Sequence, residues 1–296
     1  MKKIIYLFLF LLSANILLAQ FDKASFQIGL GIAEPFEQLK GSSYTIDSLY
    51  QNIPVTLIDT NLFKTNYGAK TGFSIFGVGK INFDKYDILR GTAFLSYTNF
   101  NTFIGSRYGN QIDAGIINGN LVYFAVPIDY SYSFSDFSFG FGLEIAPTSF
   151  TNIFSPFFGG NFCLNFMTAS LTRTKNNHDT VGFSANAFRM GVNLNAGIEA
   201  KFSSQFGMAL GVKYDLGNLL LRTSVNGNLA DNYEWGGSNG NFNDDGGLYL
   251  SKLSNFLYDG LNYSHYADKK NINWGTFYIA LNYYPDFSNK TPAPKK

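Results

Sequence analysis

Val122–Phe134 reads VYFAVPIDYSYSF, with an apolar or aromatic residue at every second position. Val122, Phe124, Val126, Ile128, Tyr130, Tyr132 and Phe134 alternate with Tyr123, Ala125, Pro127, Asp129, Ser131 and Ser133. A period of two is the side-chain repeat of a β-strand, whose successive side chains point to opposite faces. Two features do not suit a soluble sheet. A proline in mid-run withholds a ladder donor, and the polar face is small rather than charged.

The pattern recurs along the chain. Phe137, Phe139, Phe141, Leu143 and Ile145 oppose Ser138, Gly140, Gly142, Glu144 and Ala146. Residues 187–201 set Phe188, Met190, Val192, Leu194 and Ile198 against Arg189, Asn193, Asn195, Gly197 and Glu199. In 206–220, Phe206, Met208, Leu210 and Val212 alternate with Gly207, Ala209, Gly211 and Lys213. With weaker alternation near 24–33, 67–80, 88–100 and 271–284, these segments predict eight strands, the last after a bulge near Gly275. The strands at 121–134 and 137–149 are expected to meet across Ser135–Asp136, and those at 187–201 and 206–220 across SSQ. Long connections fall at 34–66, 101–120, 150–185 and 221–270. Short turns at one end and long loops at the other are the layout of an up-and-down membrane barrel. Residues 156–171 alternate only in part and, within this parity, read as ordered loop or an extension of the wall.

The termini fit export. Lys2 and Lys3 precede IIYLFLFLLSANILLAQ, a secretory signal with cleavage expected after Ala19. The barrel is then expected over 20–284, and 285–296 (PDFSNKTPAPKK) as a disordered periplasmic tail. A net charge of +1 gives no basic face for a nucleic acid, and the single cysteine, Cys163, makes no internal disulfide. Charged residues are only 15% of the chain against 18% aromatic, too few to solvate an exterior generously.

Alternation alone does not separate a soluble calyx from a membrane barrel, but side-chain volume does. Eight strands enclose an interior just wide enough for side chains to fill. Phe, Tyr, Leu, Ile and Met at nearly every position of the greasy face exceed that space, whereas Gly, Ala, Ser and Asn fit it. The greasy face therefore faces lipid, with Tyr130, Tyr132, Tyr283, Tyr284 and Trp274 expected in the interfacial girdles. The charges left on the inner face are Lys70, Arg90, Arg189 and Lys213 with Asp129, Glu144, Glu199 and Asp215. A balanced set in a narrow core is expected to pair, since an isolated buried charge is costly. Pro127 is expected on that inner face, with a bulge or broken ladder bond beside it.

VYFAVPIDYSYSFSDFSFGFGLEIAP and RMGVNLNAGIEAKFSSQFGMALGVKYDLGNLL resemble the central signature and following hairpin of the outer-membrane β-barrel domain family, which includes PorT-like and OmpX- and OmpA-like small barrels. The resemblance spans about residues 120–220 and is architectural elsewhere. It implies an all-β, eight-stranded antiparallel up-and-down transmembrane barrel in the outer membrane, surrounded by lipid and inserted by the barrel-assembly machinery. It supplies no catalytic residue.

Both histidines of the chain lie in the predicted loops. His178 neighbours Asp179 and Ser184, and His265 lies between Ser264 and Tyr266 near Asp268. Members of a triad need spatial rather than sequential proximity, so these pairs do not make an enzyme. Asp244–Asp245 before Gly246–Gly247 lacks the alternating ligands of a calcium loop and reads as a solvated turn. Glu144 and Glu199 read as structural pairs with the lumen cations. The expectation is a monomeric structural or surface-interaction barrel, without cofactor or metal, acting on an unknown surface ligand through its outer loops. The alternatives are a porin-like conduit for small solutes or lipid, and a lipid A-modifying enzyme.

Overall fold

A computed structural model describes residues 24–41, 45–50, 53–58, 66–83, 88–102, 107–147, 154–175, 179–222, 244–250 and 264–285. The described residues form thirteen strands: β1 (Ala24–Phe36), β2 (Thr45–Tyr50), β3 (Ile53–Ile58), β4 (Ala69–Asn82), β5 (Leu89–Thr102), β6 (Arg107–Ile117), β7 (Asn120–Ile145), β8 (Phe154–Lys175), β9 (Asp179–Lys201), β10 (Phe206–Leu220), β11 (Asp245–Leu250), β12 (Ser264–Lys269) and β13 (Asn273–Tyr283). Eight of them close a ring in the order β1, β4, β5, β7, β8, β9, β10, β13 and back to β1, every pairing antiparallel. The other five strands make the hairpins β2–β3 and β11–β12 and the strand β6, which pairs with the far half of β7.

The wall carries its apolar residues outward. Phe26, Ile28, Leu30 and Ile32 on β1 are 50–68% exposed, and Phe137, Phe139, Phe141, Leu143 and Ile145 on β7 are exposed alike. Gln27, Ser74, Lys80, Thr92, Glu144, Asn193 and Glu199 are buried inside. Charges within and phenylalanines without invert the arrangement of a water-soluble protein, and match a barrel whose exterior is solvated by hydrocarbon. The chain is a transmembrane β-barrel of the outer-membrane type, and its spanning elements are strands.

The strand count agrees with expectation, but two boundaries do not. The segments 121–134 and 137–149 are one strand, β7, whose ladder to β8 runs unbroken from Ile128↔Lys175 to Ile145↔Phe158. Ser135–Asp136 is no turn. Asp136, Ser138 and Glu144 share the buried face with Tyr132 and Phe134, so the greasy residues change sides while the strand goes straight on. Residues 156–171 supply the missing strand as part of β8. β7 and β8 are therefore consecutive in the wall, and the expected long loop at 150–185 is mostly strand.

Three smaller expectations change with it. Pro127 is exposed rather than inward, and the β6–β7 register passes Asn110↔Pro127 without a shift. The proline stands one residue beyond the end of the β8 ladder, where β7 pairs only with β6 among the described residues, an edge position that sheets allow proline. Register is also regular through Gly275, which pairs with Glu34 and Tyr214. Trp274 is 1% exposed and Tyr132 6%, so neither belongs to an interfacial girdle, whereas Tyr283 is exposed on the outer face. The signal segment and the tail beyond residue 285 lie outside the described residues.

Glycine on the inner face makes room for rings crossing the lumen. A Cβ on Gly29 would lie 2.3 Å from Cζ of Phe76, and one on Gly211 2.4 Å from the hydroxyl of Tyr278. Those two rings meet edge to face at 4.9 Å and join Phe157, Ala209 and Ala280 in a small core. Gly29→Val should therefore destabilise the barrel by about 1–3 kcal/mol, the usual cost of overpacking. Urea titration of the folded protein in detergent measures it, and Leu30→Val on the lipid face serves as the control.

Candidate functional site

Two regions carry the chemistry of this chain: the filled lumen and the strands that pass beyond it.

The end of the lumen nearest the short turns holds four charges. Lys80 donates to Glu144 (3.0 Å) and Glu199 (2.6 Å), and Arg90 to the same two carboxylates at 3.1 and 2.9 Å. Register places them: Arg90 lies directly opposite Glu144, and Lys80 pairs with Thr92 on the same inner face. Lys80 also stands 4.6 Å above the ring of Phe157. Tyr284, just past β13, closes this end, with Lys201 over its ring at 4.2 Å. Burial, with the Glu199 charge adding to it, pushes its phenol up to about 12, so it is neutral here.

The middle layer is polar and aromatic. Lys213 lies 3.6 Å from Asp215, and its ammonium faces the rings of Phe76 and Phe94. Asn193 donates to Asp215 at 2.7 Å, Asn161 to Asn193 at 3.1 Å, and Thr92 to Asn161 at 2.6 Å. Ser138 donates to the buried Asp136 on the same level of the wall.

The layer at the loop end is an aromatic plug. Phe100, Phe134, Tyr67 and Trp274 are each at most 2% exposed. Phe134 packs against Tyr67 (5.6 Å) and Phe100 (6.0 Å), and Phe100 against Trp274 (5.9 Å). Tyr132 donates to the carbonyl of Tyr67 at 2.7 Å, tying the segment before β4 across the opening. Beside the plug, Arg189 makes a two-pronged contact with Asp244, one prong at 2.9 Å, and Asn218 bridges to the carbonyl of Lys270 at 2.9 Å. The return of the fourth outer connection is thereby held inside the wall.

Of the eight charges expected inside, Arg90, Glu144 and Glu199 meet in one cluster, and Lys213 and Asp215 meet in another. Arg189 is also inside, but its partner is Asp244. Lys70 is exposed instead: a bulge between Lys70 and Gly72 inserts Thr71 and reverses the inner-outer alternation, so that Lys80 takes the lumen place. The side chain of Asp129 lies outside the described residues. Asp244 is no solvated turn; it is fully buried. Lys80 and Asp136 were the residues the sequence reading passed over. Lys80 is the last residue of its predicted strand, and Asp136 is the residue assigned to the turn.

His178 lies outside the described residues, as do the side chains of His265 and Asp268 on β12. Among the described residues no group of His, Cys, Asp and Glu is arranged to hold a metal ion.

The second region lies beyond the mouth. A membrane-spanning strand needs about 9–11 residues, whereas β7 has 26, β8 22 and β9 23. From the plug residue Phe134 to Leu121 the chain runs roughly 40 Å of strand, at about 3.3 Å per residue. There β6 and β7 turn at Asn118 and Gly119, with φ of 51° and 80°. Positive φ at both central residues marks the two-residue hairpin turn that Asn-Gly favours. This signal lies in 101–120, read from sequence as plain loop. Around the turn Ile116 is 78% exposed, and Ile117, Leu121, Val122 and Phe124 are exposed as well. Ile116 pairs with Leu121 on one face, while Ile117, Val122 and Phe124 lie on the other. The hairpin is thus apolar on both sides, although it stands roughly 40 Å of strand beyond the plug.

No protein-family model and no curated protein matches the chain. Among solved structures, the Neisserial surface protein A is similar at 10% identity, with a TM-score of 0.41, over 88% of this chain and 96% of that one. Ail, the attachment invasion locus protein of Yersinia pestis, is similar at 11% identity, with a TM-score of 0.32, over 89% of this chain and 99% of that one. Scores this low carry no functional argument, and the architecture rests on the chain's own strand pairing.

Proposed function

We propose that this chain is a surface-interaction protein of the outer membrane: a sealed barrel that holds an apolar hairpin tip outside the cell. The observation that carries this reading is the tip of β6–β7, greasy on both faces and carried well past the bilayer by the longest strand of the fold. An apolar patch kept in water marks a site of contact with another surface. A sheet with one buried face fixes its register by that face, and here neither face of the tip is given to the barrel. The filled lumen supports a scaffold role over a porin-like conduit, and the family resemblance brings no catalytic residue to favour the lipid A-modifying reading.

The test replaces Ile116 and Leu121 with asparagine, leaving the transmembrane wall untouched. Cells displaying the variant should attach to apolar surfaces and to one another several-fold less than cells displaying the wild type, at equal surface levels. Unchanged attachment would overturn the reading.

A further inference from the structure

The outer wall is not a uniform cylinder. Where β9, β10, β13 and β1 run side by side, register aligns Ala196, Val212, Phe277 and Ile32 in one row and Leu194, Tyr214, Gly275 and Glu34 in the next. Ala196 and Gly275 are the small members of these rows, and the wall sinks there into a groove of about 560 Å³. Phe36 forms one bank: its ring covers Gly275, where a Cβ would lie 2.9 Å from it, and packs on Tyr214 at 5.9 Å. Phe158 and Leu194 form the other. At the loop end of the groove stands Glu34, a carboxylate on the lipid-facing side of β1. It accepts from Lys40 at 3.1 Å and from Thr71, and both partners are exposed.

We propose that this groove binds one phospholipid, with an acyl chain over Ala196, between Phe36 and Leu194, and a zwitterionic phosphoethanolamine headgroup at Glu34 and Lys40. The groove is continuous with the lipid-facing band, so hydrocarbon is the medium that fills it. Its volume falls within the range of about 300–1,000 Å³ usual for small-molecule sites. The headgroup assignment follows from charge. A carboxylate is costly on a lipid-facing wall away from the interface, and a carboxylate beside an ammonium complements an amine beside a phosphate. This site lies in the wall, so it is independent of the role of the hairpin tip.

Native mass spectrometry of the purified barrel, with phosphatidylethanolamine and phosphatidylglycerol as probes, tests the site. The wild type should retain one phosphatidylethanolamine in preference to phosphatidylglycerol. Ala196→Phe fills the floor and should lower retention roughly tenfold, as overpacking of a formed site does. Lys40→Glu should abolish the preference between the two lipids while leaving the chain-binding groove open. Leu95→Phe, on the lipid face of β5, should change neither. Equal retention by wild type and Ala196→Phe overturns the proposal, as does a wild-type dimer without lipid that Ala196→Phe converts to monomer. A urea midpoint for each variant confirms that it is folded.

Discussion

Glu199→Leu should cost the barrel about 3–5 kcal/mol, the penalty for leaving a buried charge without its partner. Lys80 and Arg90 each reach both Glu144 and Glu199, so two cations balance two anions in a space closed to water. Without Glu199, two cations are left with one carboxylate. In a low-dielectric interior that repulsion is poorly screened, and salt does little for buried pairs. The loss should therefore persist at high ionic strength, unlike that of an exposed pair such as Lys40–Glu34. Adding Lys80→Met to Glu199→Leu restores one cation to one anion and should recover most of the stability. Urea unfolding in detergent, followed by tryptophan fluorescence, measures all three proteins. A Glu199→Leu midpoint equal to that of the wild type would show that the cluster does not hold the barrel together.

The barrel was legible in the sequence because the bilayer imposes a simple code, greasy outward and small or polar inward. That code holds wherever the lumen is lined by small residues, as along Phe206–Val212 and Ile279–Tyr283. It fails where the lumen itself turns aromatic. At Tyr132 and Phe134 the interior takes rings, so the greasy parity crosses from the outer face to the inner one within a single strand. On periodicity alone this is indistinguishable from a hairpin, and Ser-Asp is acceptable turn chemistry. The segment that then had no place, 156–171, was the true partner of β7. The same limit explains Lys70 and Lys80: ten residues apart, they share a parity only if no residue is inserted between them, and Thr71 is inserted. Arg189 read correctly as a lumen charge because its strand is regular, but Asp244 comes from a distant connection that no local pattern reveals. The hairpin tip was missed for a different reason. Asn118–Gly119 is a strong turn signal, yet only its β7 arm shows a long alternation; in β6 the pattern is short, Ile112 and Ile116 against Gln111, Asp113 and Gly115, and Ile117 interrupts it.

Trp274→Ala should be the second large loss, again about 3–5 kcal/mol for truncating a buried aromatic, and it should still not open a pore. The indole packs on Phe100 and fills the space over Gly217, where a Cβ would lie 2.7 Å from the ring. Removing it breaks the plug at the loop end. The layers of the lumen lie in series, however, so conduction is set by the tightest one left. The Phe76–Tyr278 layer and the four-charge cluster both remain across the path of an ion in Trp274→Ala. Eight strands give a bore that side chains alone can fill, and each layer here is built from side chains of several strands around the ring. Planar-bilayer recordings should accordingly show no steady open state for wild type or for Trp274→Ala, while urea titration registers the lost stability. A large ohmic current from the wild type would refute the sealed lumen outright. A current appearing only in Trp274→Ala would place the whole barrier in the plug, and would make the charge cluster a purely structural element rather than a second seal.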